Sequence, residues 1–160
     1  KLVDIFRIGA EDDDDDEKLG DLVAEIHPRA VNKVSELLEF SLREKAYCGL
    51  GLGEYKYQFS NLDSLEKVAK RVTSDNLKEG YEEFEGVLIG YLPKSREFEF
   101  KVINSQQIVK GRIGREIDDP DKLSPYLNSE VTIHLSFIQI GNARPRYLIN
   151  ELSDLKLSNK

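Results

Sequence analysis

The stretch FEGVLIGYLPKSREFEFKVI, Phe84 to Ile103, reads as two β-strands joined by a tight Leu-Pro-Lys-Ser turn, and the sequence after it is patterned to pair with them. Phe98, Phe100 and Val102 alternate with Glu97, Glu99 and Lys101, which sends apolar groups to one face of a strand and charges to the other. Gly86, Leu88, Gly90 and Leu92 alternate in the same way along the first strand. Glycines inside a strand leave room for a bend or for the close approach of another backbone.

An Asn104-Ser105 turn leads into a third strand, Gln107 to Gly114, with Val109 and Ile113 on one face and Lys110 and Arg112 on the other. Asp118 to Leu127 supports one short helix, with Pro120 near its first turn. Glu130 to Ile140 carries the plainest alternation of the chain, Val131, Ile133, Leu135 and Phe137 against Thr132, His134 and Ser136. After a Gly141-Asn142-Ala143 turn, Arg146 to Leu152 makes a fifth strand. Three strands, a short helix and two strands match a small Greek-key barrel of the oligonucleotide/oligosaccharide-binding (OB) type, over residues 80–153. An SH3-like barrel has a similar strand count, but its helical turn falls one connection later. Phe98, Phe100, Ile133, Leu135 and Leu148 are the expected barrel core.

Upstream, Pro28 to Lys45 has Val31, Val34, Leu37, Leu38 and Leu42 at helical spacing, with proline in the first turn. Ala46 to Phe59 reads as a hairpin turning at Gly53-Glu54. A second helix starts at the N-cap residue Asn61 and carries Leu62, Leu65, Val68, Ala69 and Val72. Lys67, Lys70 and Arg71 fall in its later turns, where the helix dipole favours cations. Residues 21–76 are thus expected to form a helix–hairpin–helix unit in an α+β protein. Leu2 to Ile8 reads as a short strand, and EDDDDDEK, Glu11 to Lys18, as a solvated acidic run, so that residues 1–20 make a linker or tail. Residues 154–160 read as a second tail.

The 160 residues carry a net charge of −7, unevenly placed. Residues 1–80 hold 12 Lys+Arg against 18 Asp+Glu, and residues 81–160 hold 11 against 12. An acidic chain is a poor nonspecific partner for nucleic acid or anionic membrane, but the nearly neutral second half leaves room for a local basic patch. No window approaches the roughly 18 uninterrupted apolar residues of a membrane span. The one cysteine, Cys48, has no internal disulfide partner, which fits a reducing compartment. A cytoplasmic location is expected, within a larger protein whose upstream part precedes Lys1.

Little in the sequence points to catalysis. Cys48 sits in an apolar alternation, where a free cysteine behaves as a small hydrophobe, and His27 and His134 make no zinc pattern with it. Gly49, Gly51 and Gly53 do not fit the dinucleotide spacing, and strand rather than helix follows them. Glu97 and Glu99 share a strand face beside Lys101, as a solvated surface does. No cofactor and no metal are expected.

The constellation of interest is basic. Lys94 and Arg96 lie in the first hairpin loop, Arg144 and Arg146 around the last, and Lys110 and Arg112 on the outward face of the third strand. In OB-type barrels those loops and that face take the ligand, and arginine donates in pairs to phosphate or carboxylate. Against nucleic acid, the outward face offers Tyr91 but little else for bases to stack on. The expectation is a non-enzymatic interaction or accessory module of a larger, bacterial-type protein that binds a protein partner. A barrel binding single-stranded DNA or RNA is the alternative, and an enzyme a distant third.

Overall fold

The computed structural model describes residues 1–11, 16–26, 28–73 and 76–158, and backbone contacts divide the chain into one unit of residues 1–78 with 138–145 and another of residues 79–137 with 146–160. The first unit begins with α1 (Leu2–Gly9), α2 (Asp16–Ala24) and α3 (Pro28–Arg43), followed by the hairpin β1 (Gly49–Leu52) and β2 (Tyr55–Gln58) and by α4 (Leu62–Val72). Two helices therefore stand where a strand and an acidic linker were expected, and the unit does not start as helix–hairpin–helix.

Both corrections have local causes. Over eight residues, alternation and helical periodicity are hard to tell apart. The residues that α1 buries are Val3, Ile5, Phe6 and Gly9, a helical stripe, while Asp4 and Arg7 pair outside it. In α2, Leu19, Gly20 and Val23 are buried at helical spacing, and Asp16 and Glu17 occupy the first turn, where the helix dipole favours anions. The acidic run is thus partly a helix N-terminus; its residues 12–15 lie outside the described residues.

The expected stripes of α3 and α4 pack with α1 and α2 around Phe6, Leu19, Val31, Leu38, Phe59 and Leu65. Leu37 is the exception, lying exposed on the outer flank of α3. Asn61 caps α4 as predicted, its side chain accepting from Ser64 N at 2.8 Å. Gly53 turns the hairpin at φ 62°, a conformation that favours glycine.

The second unit is a closed barrel. Its strands are β3 (Leu77–Leu92), β4 (Glu97–Val102), β5 (Ile108–Ile113), β6 (Glu130–Ile140) and β7 (Arg146–Ile149), of which residues 77–78 of β3 and 138–140 of β6 count with the first unit, and a 3-10 helix, Pro120–Tyr126, lies between β5 and β6. They neighbour one another in the order β3-β4-β5-β7-β6, β3 pairs with β6 to close the ring, and β5–β7 is a parallel pair in an otherwise antiparallel ladder where register is known. Residues expected to be a tail instead form β8 (Leu155–Leu157), which pairs with β6 and buries Leu155.

Phe98, Phe100, Ile133 and Leu135 are buried together, as the alternation predicts. Leu148 is not among them: Ile149 turns inward on β7, and Leu148 is aligned with the exposed Arg112. A bulge explains the other departure. The β3–β4 register shifts between Leu88 and Gly90, so beyond it the faces exchange. Tyr91 packs against the core, whereas Leu92 is exposed. At Gly86 a side chain would collide with the Lys101 carbonyl and the Phe100 ring, which is why this strand tolerates only glycine there.

Candidate functional site

Strand pairing builds the outer face of the barrel row by row. One row reads Glu99, Lys110 across β4 and β5; the next reads Leu92, Glu97, Arg112, Leu148 across β3, β4, β5 and β7. Gly111 is aligned with Tyr147, so Arg146 lies next to Lys110 on the outward side. A third row is Val87, Lys101, Ile108. Opposed residues on one face lie about 5 Å apart, so these side chains interact. Lys110 meets Glu99 at 2.6 Å, and Arg112 and Arg146 are also engaged. Lys110, Arg112 and Arg146 are thus brought onto one surface, with the Glu97 and Glu99 carboxylates interleaved. Ile103 and Ile108 stand exposed on it, at 42% and 49%. The rings of β4, by contrast, point into the core.

The loop residues behave differently. Lys94 is exposed in the β3–β4 turn. Arg96, at φ 56°, turns its guanidinium back into the barrel and donates to the carbonyls of Ile113 (3.1 Å), Gly114 and Ile117 (2.5 Å). Three carbonyls leaving the end of β5 are satisfied by one planar fork. Arg144 belongs to the first unit, where its backbone N–H donates to Glu17 at 3.0 Å and its Nε lies 3.4 Å from the same carboxylate. Arg96→Ala is therefore expected to cost about 2 kcal/mol of barrel stability, since hydrogen bonds from a charged donor are lost. Urea unfolding checks this, with Lys94→Ala as an unaffected control.

At the inward side of the barrel end, Tyr147 stacks edge-on against Phe84 (5.6 Å) and Phe137 (6.2 Å) and donates its hydroxyl to Glu82 at 2.8 Å. Burial, then the Glu82 hydrogen bond and charge, push its pKa above the ordinary value of 10. Above pH 10 the folded state holds a proton that the unfolded chain has released. Stability is therefore full below pH 10 and falls as pH rises above it. Tyr147→Phe is expected to cost about 1 kcal/mol at pH 7 and to flatten the alkaline loss, read by thermal unfolding between pH 8 and 11. Tyr91 has its pKa raised by burial and then by Asp121, to which its hydroxyl bonds at 3.2 Å.

The groups weighed for catalysis are placed as follows. Cys48 is half-buried and packs against the first unit's core. His134 pairs with Glu83 at 3.1 Å on the outer side of the barrel, and His27 lies outside the described residues. No group of three or more His, Cys, Asp or Glu among the described residues is arranged to hold a metal ion. The glycines of β1 leave a surface depression of about 280 Å³ over Gly49, Gly51, Lys56 and Gln58. No helix among the described residues is long and apolar enough to cross a membrane.

Glu17, Glu82 and the exposed isoleucines escaped notice in the sequence because each acquires meaning from a partner distant along the chain. Strand order, parallel β5–β7 pairing and the helix after the third strand define a closed five-stranded mixed β-barrel, consistent with an OB-like barrel. Compared with family models, with curated proteins and with solved structures, the chain matches none.

Proposed function

We propose that this chain is a non-enzymatic interaction module, working in the cytoplasm, whose OB-like barrel binds a protein partner through the outer face of β4, β5 and β7. One observation carries this: the face combines exposed Ile103 and Ile108 with charges of both signs, while the rings of Phe98, Phe100 and Tyr147 are turned inward. Bases stack on outward aromatic rings, which these strands do not offer. A face of apolar side chains ringed by paired charges is what a protein surface complements, and alternating signs fix register.

The alternative, single-stranded nucleic acid, draws on the adjacency of Lys110, Arg112 and Arg146. Both are tested with one set of variants. A photo-cross-linker in place of Ile108 is expected to capture a defined protein in cells, and Ile103→Asp in the same chain to abolish capture without loss of stability. Salt-sensitive binding to single-stranded DNA or RNA, lost when Lys110, Arg112 and Arg146 are replaced by Ala, would replace this reading by the alternative.

A further inference from the structure

The barrel has an unfinished edge. β3 is longer than β4, and β4 covers it only from Gly86 to Leu92, with one further bond from Ile103 N to Glu85 O at 3.0 Å. On its other side the first half of β3 faces β6, as the Glu83–His134 pair and the packing of Gly80 against Phe137 show. No strand continues the line of β4 beside Glu79–Phe84 among the described residues.

Strand geometry says what this edge presents. The Glu85 carbonyl points toward the β4 side, and backbone direction alternates with every residue, so Glu79, Tyr81 and Glu83 turn their N–H and C=O groups to the open side. The same residues send their side chains outward. Tyr81 is 81% exposed, and Glu79 and Glu83 are exposed on either side of it. Glu79 and Glu85 have no ion-pair partner among the described residues. On the opposite face the edge offers Gly80, Glu82, whose carboxylate accepts from the Tyr147 hydroxyl, and the half-buried Phe84.

We infer that the edge of β3 from Glu79 to Phe84 takes up an extended basic segment of a partner protein as an added strand, with lysine or arginine at alternate positions and small apolar residues between them. It shares with the reading above only that the partner is a protein. The added strand would satisfy the open backbone groups, as strand addition does, and would set its cations directly across from Glu79 and Glu83. Its apolar positions would fall on the side of Gly80 and Phe84, where the intervening Glu82 carboxylate is taken up by the Tyr147 hydroxyl. A second copy of this chain is the wrong occupant, because pairing β3 with itself sets acidic strands side by side. Charges on an open edge also serve to keep other strands away, and the experiment separates that role from recruitment.

The probe is a short fluorescent peptide alternating lysine and valine, titrated against the full chain by anisotropy. Binding that weakens with salt is expected, together with slowed amide exchange at Tyr81 and Glu83. Methylating the backbone nitrogens of either the lysines or the valines leaves the charge unchanged. One of the two peptides is expected to lose affinity roughly tenfold and the other to keep it, because only one set faces the edge. Tyr81→Pro removes an edge donor without touching the β6 side and should weaken binding similarly; if that variant fails to fold, the methylated peptides decide alone. The inference is overturned if the peptide does not bind, if both methylated peptides bind alike, or if the chain dimerises in a way that Tyr81→Pro abolishes. Loss of peptide binding in Ile108→Asp but not in Tyr81→Pro would sink the edge and leave the outer-face reading standing.

Discussion

Replacing Phe100 by Ala is expected to lower the stability of the barrel by about 3–5 kcal/mol, as deletion of a fully buried ring does. Phe100 has no solvent exposure, lies between Leu88 on β3 and Val109 on β5, and packs its ring against the bare backbone of Gly86. Three hydrogen-bonded strands hold the walls of that space, so little can collapse into it. The neighbouring Glu99→Ala removes an exposed carboxylate whose pair with Lys110 is solvated, and should cost about 0.5 kcal/mol or less. Urea unfolding followed at barrel amides distinguishes the two. Equal losses would mean that the faces of β4 are assigned wrongly.

That prediction was available from the sequence because β4 alternates without a break, and a period of two leaves only one way to bury Phe98 and Phe100 together. The same logic failed one strand earlier. Nothing in GVLIGYL marks Ile89 as an inserted residue, and a single insertion exchanges the faces of everything beyond it. So Leu92, expected inside, is exposed, and Tyr91, expected outside, is packed. Leu148 failed for a related reason: Arg146 to Leu152 is apolar at Tyr147, Leu148 and Ile149 in succession, so alternation cannot choose a face. Pairing with β5 makes the choice.

The basic residues show a different limit. Spacing identifies cations in loops and on strand faces, but their availability depends on acceptors that only the fold supplies. Lys110 finds Glu99 across a strand pair, Arg144 finds Glu17 from a distant helix, and Arg96 finds backbone carbonyls, which carry no sequence signal at all. Lys94 and Arg96 lie two residues apart in one turn, yet one is exposed and the other tied into the barrel.

Arg71→Ala is expected to cost about 3–4 kcal/mol in the first unit, approaching the loss seen when a buried ion pair is deprived of one partner. Arg71 had looked like a cation placed for the dipole of its own helix, α4, and the run containing Asp16 like a solvated linker. In the folded unit Arg71 is 9% exposed. Its Nε donates to Asp16 at 3.2 Å, and Nη1 donates to the Ile8 and Gly9 carbonyls, each at 3.3 Å. Those carbonyls end α1, where the helix carries partial negative charge, and the Ile8 carbonyl also accepts from Glu11 N at 3.2 Å. Asp16 opens α2. One guanidinium thus caps the end of α1 and holds the start of α2, while its own carbonyl accepts from Asn76 at 2.8 Å. Lys70, the preceding residue, is the natural control: its pair with Glu66 at 2.7 Å is exposed on both sides, so Lys70→Ala should cost about 0.5 kcal/mol or less. Asp16→Ala should cost less than Arg71→Ala, because the two carbonyls keep their donor. A double-mutant cycle between Arg71 and Asp16 should return a coupling of about 1–2 kcal/mol. That coupling should survive high salt, which screens exposed charges far more than buried ones. If Arg71→Ala and Lys70→Ala prove equally mild, Arg71 does not fasten the helices and the acidic run returns to being a solvated linker.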